Sequence, residues 1–244
     1  MSRFTNLKKH LGFSNAWKFY YQLKTGQYHH FQVPDVKHPF QMRKNPYDYA
    51  TFEEVLLRKT YNIDLGFIPR FIIDGGGNIG LTAAFFASRF AHARIISLEP
   101  DRENFELLYK NTQPYANVVA VNKGVWNRPA HLVVKDIGLG NNGLVVEEIA
   151  APSAGSIEAT GIAQIMQEHQ QAQIDVLKLD VEGAEKEIFS SGYEAWLPYT
   201  RVLIVELHDH MKKGCSQAVF TALSHYHFSC QIAGENLVFR NENL

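Results

Sequence analysis

Only two cysteines, Cys215 and Cys230, occur in 244 residues. That excludes a disulfide framework, and without a C-x-x-C pair it also excludes a cysteine-based zinc or redox site. A reducing, cytoplasmic setting is therefore expected. Long apolar runs are missing as well. None approaches the roughly 18 residues a spanning helix needs, and no apolar segment of the kind a secretory leader carries follows Lys8 and Lys9. No transmembrane segment is expected. Charge of one sign is lacking too: 24 Lys and Arg stand against 25 Asp and Glu, a net charge of -1. With no global basic field, nucleic acid is not an expected partner. Repeats and low-complexity tracts are absent. What is present is a globular balance, 45% hydrophobic and 20% charged, and length for one α/β domain with an extension.

Residues 1–70 read differently from 71–244, as an extension rather than an independent domain. Phe4, Leu7, Leu11, Trp17, Phe19, Tyr20 and Leu23 are spaced like one apolar face of short helices, with Lys and His between them. Such a segment can pack on the domain behind it, cover a pocket, serve as the arm of a homodimer or lie on a membrane. His29 to Val33 and Phe40 to Arg43 read as extended pieces around Pro34 and Pro39. Thr51-Phe52-Glu53-Glu54 has capping-box spacing and predicts a helix to about Tyr61.

From Phe71 strands and helices alternate. Strands are expected at 71–74, 94–98, 118–121, 174–179 and 202–205, and helices at 81–90, 104–111, 184–190 and 216–225. A tight hairpin closes the chain at 228–240. Residues 131–135 suggest a local hairpin after Asn127-Arg128-Pro129, and 136–161, rich in Gly, Asn, Ser and Ala, an exposed excursion. The alternation predicts a mostly parallel, twisted, Rossmann-like sheet with right-handed crossovers, ending in an antiparallel pair.

Gly75, Gly77 and Gly80 satisfy G-x-G-x-x-G between a strand and a helix, and Glu99 ends the next strand. The pattern fits a dinucleotide enzyme such as an NAD-dependent oxidoreductase, or a non-catalytic nucleoside-binding module. Asp74, closing the strand, is read as pointing into the glycine turn, where it would repel a pyrophosphate and attract the sulfonium and ammonium of S-adenosylmethionine (SAM). Glu99 is then expected on the ribose hydroxyls, and Asn78 either on the next helix as a cap or on the methionine end.

Asp74-Gly75-Gly76-Gly77-Asn78-Ile79-Gly80, Glu99-Pro100-Asp101 with Asn104-Phe105, and Leu179-Asp180-Val181-Glu182-Gly183-Ala184-Glu185 resemble the signatures of the FkbM family of SAM-dependent methyltransferases. The likeness covers roughly Arg43 to Arg240, and Asp180 to Glu185 is its most specific part. It implies the class I methyltransferase fold, with an N-terminal segment over the cofactor edge. It also implies SAM at Asp74, Gly75, Gly76, Gly77, Asn78, Gly80, Glu99 and Pro100, and O-methylation of a hydroxyl on a glycan or secondary metabolite. Gly75 and Gly77 replace bulkier residues more usual in the family's loop, which is expected to loosen the turn.

Asp180 and Glu182 follow an apolar strand, and Glu206, His208 and Asp209 follow the next, so both sets lie at the carboxyl edge where open α/β sheets bind ligands. Three readings stay open. Asp180, Glu206 and His208 supply a general base, with His208 first because its ordinary pKa is near neutrality. They hold a divalent cation such as Mg²⁺. Or Asp180 and Glu182 cap a helix beside a solvated loop. Arg43, Tyr47, Asp48 and Glu182 are acceptor-side candidates, the first three serving otherwise to tie the extension to the core.

Overall fold

The computed structural model describes residues 3–27, 30–136 and 144–244. Its centre is a seven-stranded sheet of β1 (Phe71–Gly75), β2 (Arg94–Leu98), β3 (Val118–Val121), β8 (Ile174–Leu179), β9 (Thr200–Glu206), β10 (Phe228–Ala233) and β11 (Asn236–Asn241). Their spatial order is β10-β11-β9-β8-β1-β2-β3. Every neighbouring pair is parallel except β11, which runs against both β9 and β10. This is the Rossmann-like α/β architecture, mostly parallel, with the antiparallel closing hairpin turning at Gly234. The chain leaves β1 towards β2 on one side and returns beside it as β8 on the other. Their carboxyl ends are therefore a topological switch point, where such sheets place ligands.

Successive side chains on a strand face opposite ways, so a doubly covered strand is apolar except where a buried charge is paired, and all five residues of β1, Asp74 included, are buried. Ile72, Val176, Val202, Ile204 and Val238 face a core shared with α3 (Leu81–Arg89) and the extension. Ile73, Leu177, Leu203 and Phe239 face a second core with α5 (Ile162–Glu168), Trp196 and α7 (Cys215–Leu223).

The extension is helical but begins elsewhere than the capping-box spacing suggests. In α1 (Arg3–Thr25) helical dihedrals are interrupted at Gly12, and Leu7, Leu11, Ala16 and Phe19 are buried. The next helix, α2 (Pro46–Phe52), is capped by Asn45, whose side chain accepts from the Asp48 amide, with Pro46 in the first turn. Thr51 sits inside this helix and its hydroxyl donates to the Tyr47 carbonyl. A π-helical turn continues from Glu53 to Arg58, closed by Lys59 in the left-handed region. His29 lies outside the described residues; Phe31 and Phe40 form an isolated antiparallel bridge.

Residues 136–161 are not simply an excursion. Strands β4 (Gly124–Trp126), β5 (Ala130–Asp136), β6 (Leu144–Ile149) and β7 (Ile157–Gly161) form a second sheet in the order β4-β7-β5-β6. The expected hairpin at 131–135 forms with the following strand, β5 pairing antiparallel with β6 from His131 opposite Ile149 to Asp136 opposite Leu144. β5 does not pair back across Asn127-Arg128-Pro129, because β7 lies between β4 and β5. Alternation in Ile157–Gly161 is too short to reveal this. Residues 137–143 lie outside the described residues.

Candidate active site

The turn after β1 is held by its neighbour: the amides of Gly76 and Gly77 both donate to the Leu98 carbonyl, at 3.0 and 2.8 Å. A Cβ on Gly76 would lie 1.8 Å from the Asp180 carbonyl oxygen, and one on Gly77 would lie 2.4 Å from Ser97 Oγ. Glycine at 77 therefore tightens the turn against β2 rather than loosening it. Gly80 adopts φ 84 and opens α3 without a side-chain cap, so Asn78 does not cap that helix.

Below this turn lies a cleft of about 480 Å³ lined by Gly76, Asn78, Glu99, Pro100, Asp180 and Glu182, with Val125, Leu132 and Ile157 as an apolar wall. The second sheet supplies that wall. Glu99 is 6% exposed, and its two oxygens accept from the amides of Asn78 and Asp101 at 2.8 and 2.9 Å. Burial pushes its carboxyl up to about 7, against the pull of those two amides.

Asp74 departs from its expected role. It is fully buried, accepts from Ser97 Oγ at 2.7 Å and lies 3.3 Å from Lys178 Nζ. Lys178, also buried, donates to the Gly76 carbonyl at 2.6 Å and lies 3.7 Å from Asp180. Burial works against its charge, but Asp74, Tyr61 and Asp180 outweigh it and hold the ammonium above its ordinary value. Asp74 is thus neutralised beneath the turn instead of presenting a free carboxylate to a ligand. Asp180, unlike Asp74, lines the cleft, together with Glu99 and Glu182.

At the ends of β8 and β9, Asp180, Glu206 and His208 come together: His208 Nε2 is 3.6 Å from an oxygen of each acid. The other ring nitrogen lies 2.7 Å from Glu185 Oε1. Glu185 is fully buried at the start of α6 (Glu185–Ile188). Burial opposes charge on His208, but the Glu185 hydrogen bond, with Asp180 and Glu206, holds the imidazole up at about 9. Burial and Asp180 push Glu206 up, to about 7, while His208 opposes the shift. The ground for placing His208 first, a near-neutral pKa, therefore does not hold in the fold. Nor is His208 part of a solvated loop, being 5% exposed.

Arg43, Tyr47 and Asp48 line neither this cleft nor the larger one described next. Asp48 turns inward from the capped helix, accepts from the Arg43 backbone and pairs with its guanidinium at 2.8 Å. Arg43 also donates to Asn104 at 2.6 Å, so the pair straps the extension to α4 (Arg102–Thr112). Tyr47 is 69% exposed. Among the described residues, none before Gly76 lines the smaller cleft. The extension instead walls a second cleft of about 730 Å³, between Glu54 to Asp64 and the β10–β11 turn.

The methyltransferase FkbM domain model matches residues 74–230, well over half of the chain. The chain belongs to the FkbM methyltransferase family. It is accordingly a SAM-dependent methyltransferase, and the oxidoreductase and non-catalytic readings fall away. This FkbM protein is 25% identical over 179 residues to "Methyltransferase 1" of Beauveria bassiana (strain ARSEF 2860), a match covering 64% of the chain and 72% of that relative. Solved structures with a similar fold include an O-methyltransferase from Bacillus cereus in complex with SAH, at 11% identity and a TM-score of 0.42 over 93% of this chain and 89% of that one. The N-terminal domain of human METTL16 aligns at 11% identity and a TM-score of 0.44, over 98% and 92%. No described helix is long and apolar enough to cross a membrane.

Sequence reasoning gave no site role to Lys178 or Tyr61, and placed Glu185 in the family likeness without a role. Lys178 lies in the Ile174 to Leu179 strand, whose other charged residue, Asp175, sits at its half-buried start; a lysine next to the carboxyl end of a doubly buried strand was the available signal.

Proposed function

We propose that this enzyme O-methylates a hydroxyl of a small polar acceptor, a glycan or a secondary metabolite, at the Asp180, Glu206 and His208 cluster. The observation that carries this is the sharing of Asp180: it lines the cleft beside Glu99 and also stands 3.6 Å from His208. The smaller cleft suits a nucleoside, with the anchored Glu99 on the ribose, the Val125, Leu132 and Ile157 wall against the base, and Gly76, Asn78 and Pro100 at its rim. SAM supplies an already activated methyl group when bound. The chain's own task is to align the acceptor oxygen and take its proton as the carbon–oxygen bond forms. Glu206, raised by burial into the neutral range, is the base, and His208, kept protonated by Glu185, holds it in place. The larger cleft, whose inner Glu54 feels the charges of Asp180 and Lys178, is the acceptor's side, so the extension selects the acceptor while the sheet holds the cofactor.

A second reading rests on one further observation: a ligand atom from each of Asp180, Glu206 and His208 lies within 4.8 Å of the others. These three would hold a divalent cation that lowers the pKa of the acceptor hydroxyl. Methyl-labelled SAM incubated with matched hydroxyl and amine acceptors tests both. Label in methyl ethers, undiminished by EDTA, is the expected result. Label only in amines would overturn O-methylation, and activity lost to EDTA and restored by Mg²⁺ would move the cluster to the metal role.

A further inference from the structure

From residue 1 to residue 34 the sequence contains five lysines and arginines and not one aspartate or glutamate; the first acid is Asp35. Since the whole chain is nearly neutral, this charge is concentrated in the segment that forms α1. That helix has two apolar sides. One, with Leu7, Leu11, Ala16 and Phe19, is buried against the extension's core. The other carries Phe13, Trp17 and Tyr21 at i, i+4 and i+8, which share a helix face and are 62%, 55% and 50% exposed. Trp17 and Tyr21 stack with ring centroids 5.5 Å apart. Lys8, Lys9, Lys18 and Lys24 are exposed around them.

A helix with an unburied apolar stripe needs a second apolar partner. Aromatic rings at the boundary, lysines beside them and no acid in the helix itself complement the headgroup layer of an anionic membrane, where amphipathic rings settle at the interface and basic side chains meet lipid phosphates. We infer that the Phe13–Trp17–Tyr21 face of α1 docks this methyltransferase on an anionic phospholipid surface. The buried side of the same helix fixes the enzyme's orientation on that surface. The contact is peripheral.

The three tryptophans supply a probe, because Trp126 and Trp196 are 4% and 2% exposed whereas Trp17 is half in solvent. The full-length protein is mixed with phosphatidylcholine vesicles with or without phosphatidylserine. A blue shift of tryptophan emission and co-sedimentation are expected only with the anionic vesicles, weakening as salt is raised. The triple variant F13A/W17A/Y21A should stay in the supernatant, and K18E/K24E should bind at least about tenfold more weakly. Affinity for S-adenosylhomocysteine checks that the variants remain folded. Should the triple variant misfold, the charge-reversal variant decides alone. Equal binding to neutral and anionic vesicles, no binding to either, unchanged binding of K18E/K24E, or capture of a single-stranded oligonucleotide in preference to vesicles would each overturn the inference.

Discussion

The two halves of the carboxyl edge are built in different ways. The half proposed for the cofactor is local: Gly76, Asn78, Glu99 and Pro100 come from two short turns, and backbone amides do the anchoring. The chemical half is assembled from distant positions, Tyr61, Asp74, Lys178, Glu185, Glu206 and His208, and buried charges do the anchoring. A backbone amide donates whatever side chain it carries, so long as the turn keeps its shape, whereas a buried charge network fails when one member is lost. Substitutions in the two halves should therefore differ in kind: loss of affinity in one, loss of turnover and stability in the other.

The largest effect is expected at Glu206. E206Q keeps the shape but cannot take a proton, so turnover should fall by roughly two to four orders of magnitude with affinity for S-adenosylhomocysteine unchanged. Steady-state kinetics and calorimetry together measure this, and a loss confined to cofactor affinity would erase the contrast. Next comes Lys178. K178M strands Asp74 without a counter-charge and should cost about 3 to 5 kcal/mol in urea unfolding; D74N/K178M should recover part of it, since no orphan charge remains. A cost below about 1 kcal/mol for K178M would mean that the network is not anchored this way.

The smallest effects belong to Glu99. E99A should weaken S-adenosylhomocysteine at least about tenfold through loss of a charge-assisted hydrogen bond. Because burial holds this carboxyl up at about 7, it ionises between roughly pH 6 and 8, and affinity should rise a few-fold across that range and stay flat in E99Q. The apo protein moves oppositely: a raised acid binds its proton more tightly folded than unfolded, so its contribution to stability falls as pH climbs from the usual glutamate range through 7. An affinity that drops with rising pH would remove Glu99 from the ribose.

Periodicity reveals what is contiguous. The parallel strands, the crossing helices, the glycine turn and the closing hairpin are all readable, because apolar runs of five or six residues between turn signals leave little choice. The second sheet is not, since β7 finds its place between β4 and β5 only once the sheet exists. The same limit applies to the site. Asp180, Glu206 and His208 are readable as strand-end groups. Whether Asp74 faces a ligand or a lysine depends on which side of β1 the neighbouring β8 presents Lys178, and register decides that. Likewise a histidine's protonation is set by a partner such as Glu185 across the turn, which spacing alone does not pair with it.

The contact between Gly76 and Asp180 has a mechanical consequence. With the Asp180 carbonyl where a methyl group at position 76 would sit, and the Asp180 amide donating to the Gly75 carbonyl at 3.1 Å, the two turns are keyed together like the teeth of a clasp. Neither can hinge without carrying the other. Any widening of the glycine turn would drag Asp180 out of line with Glu206 and His208.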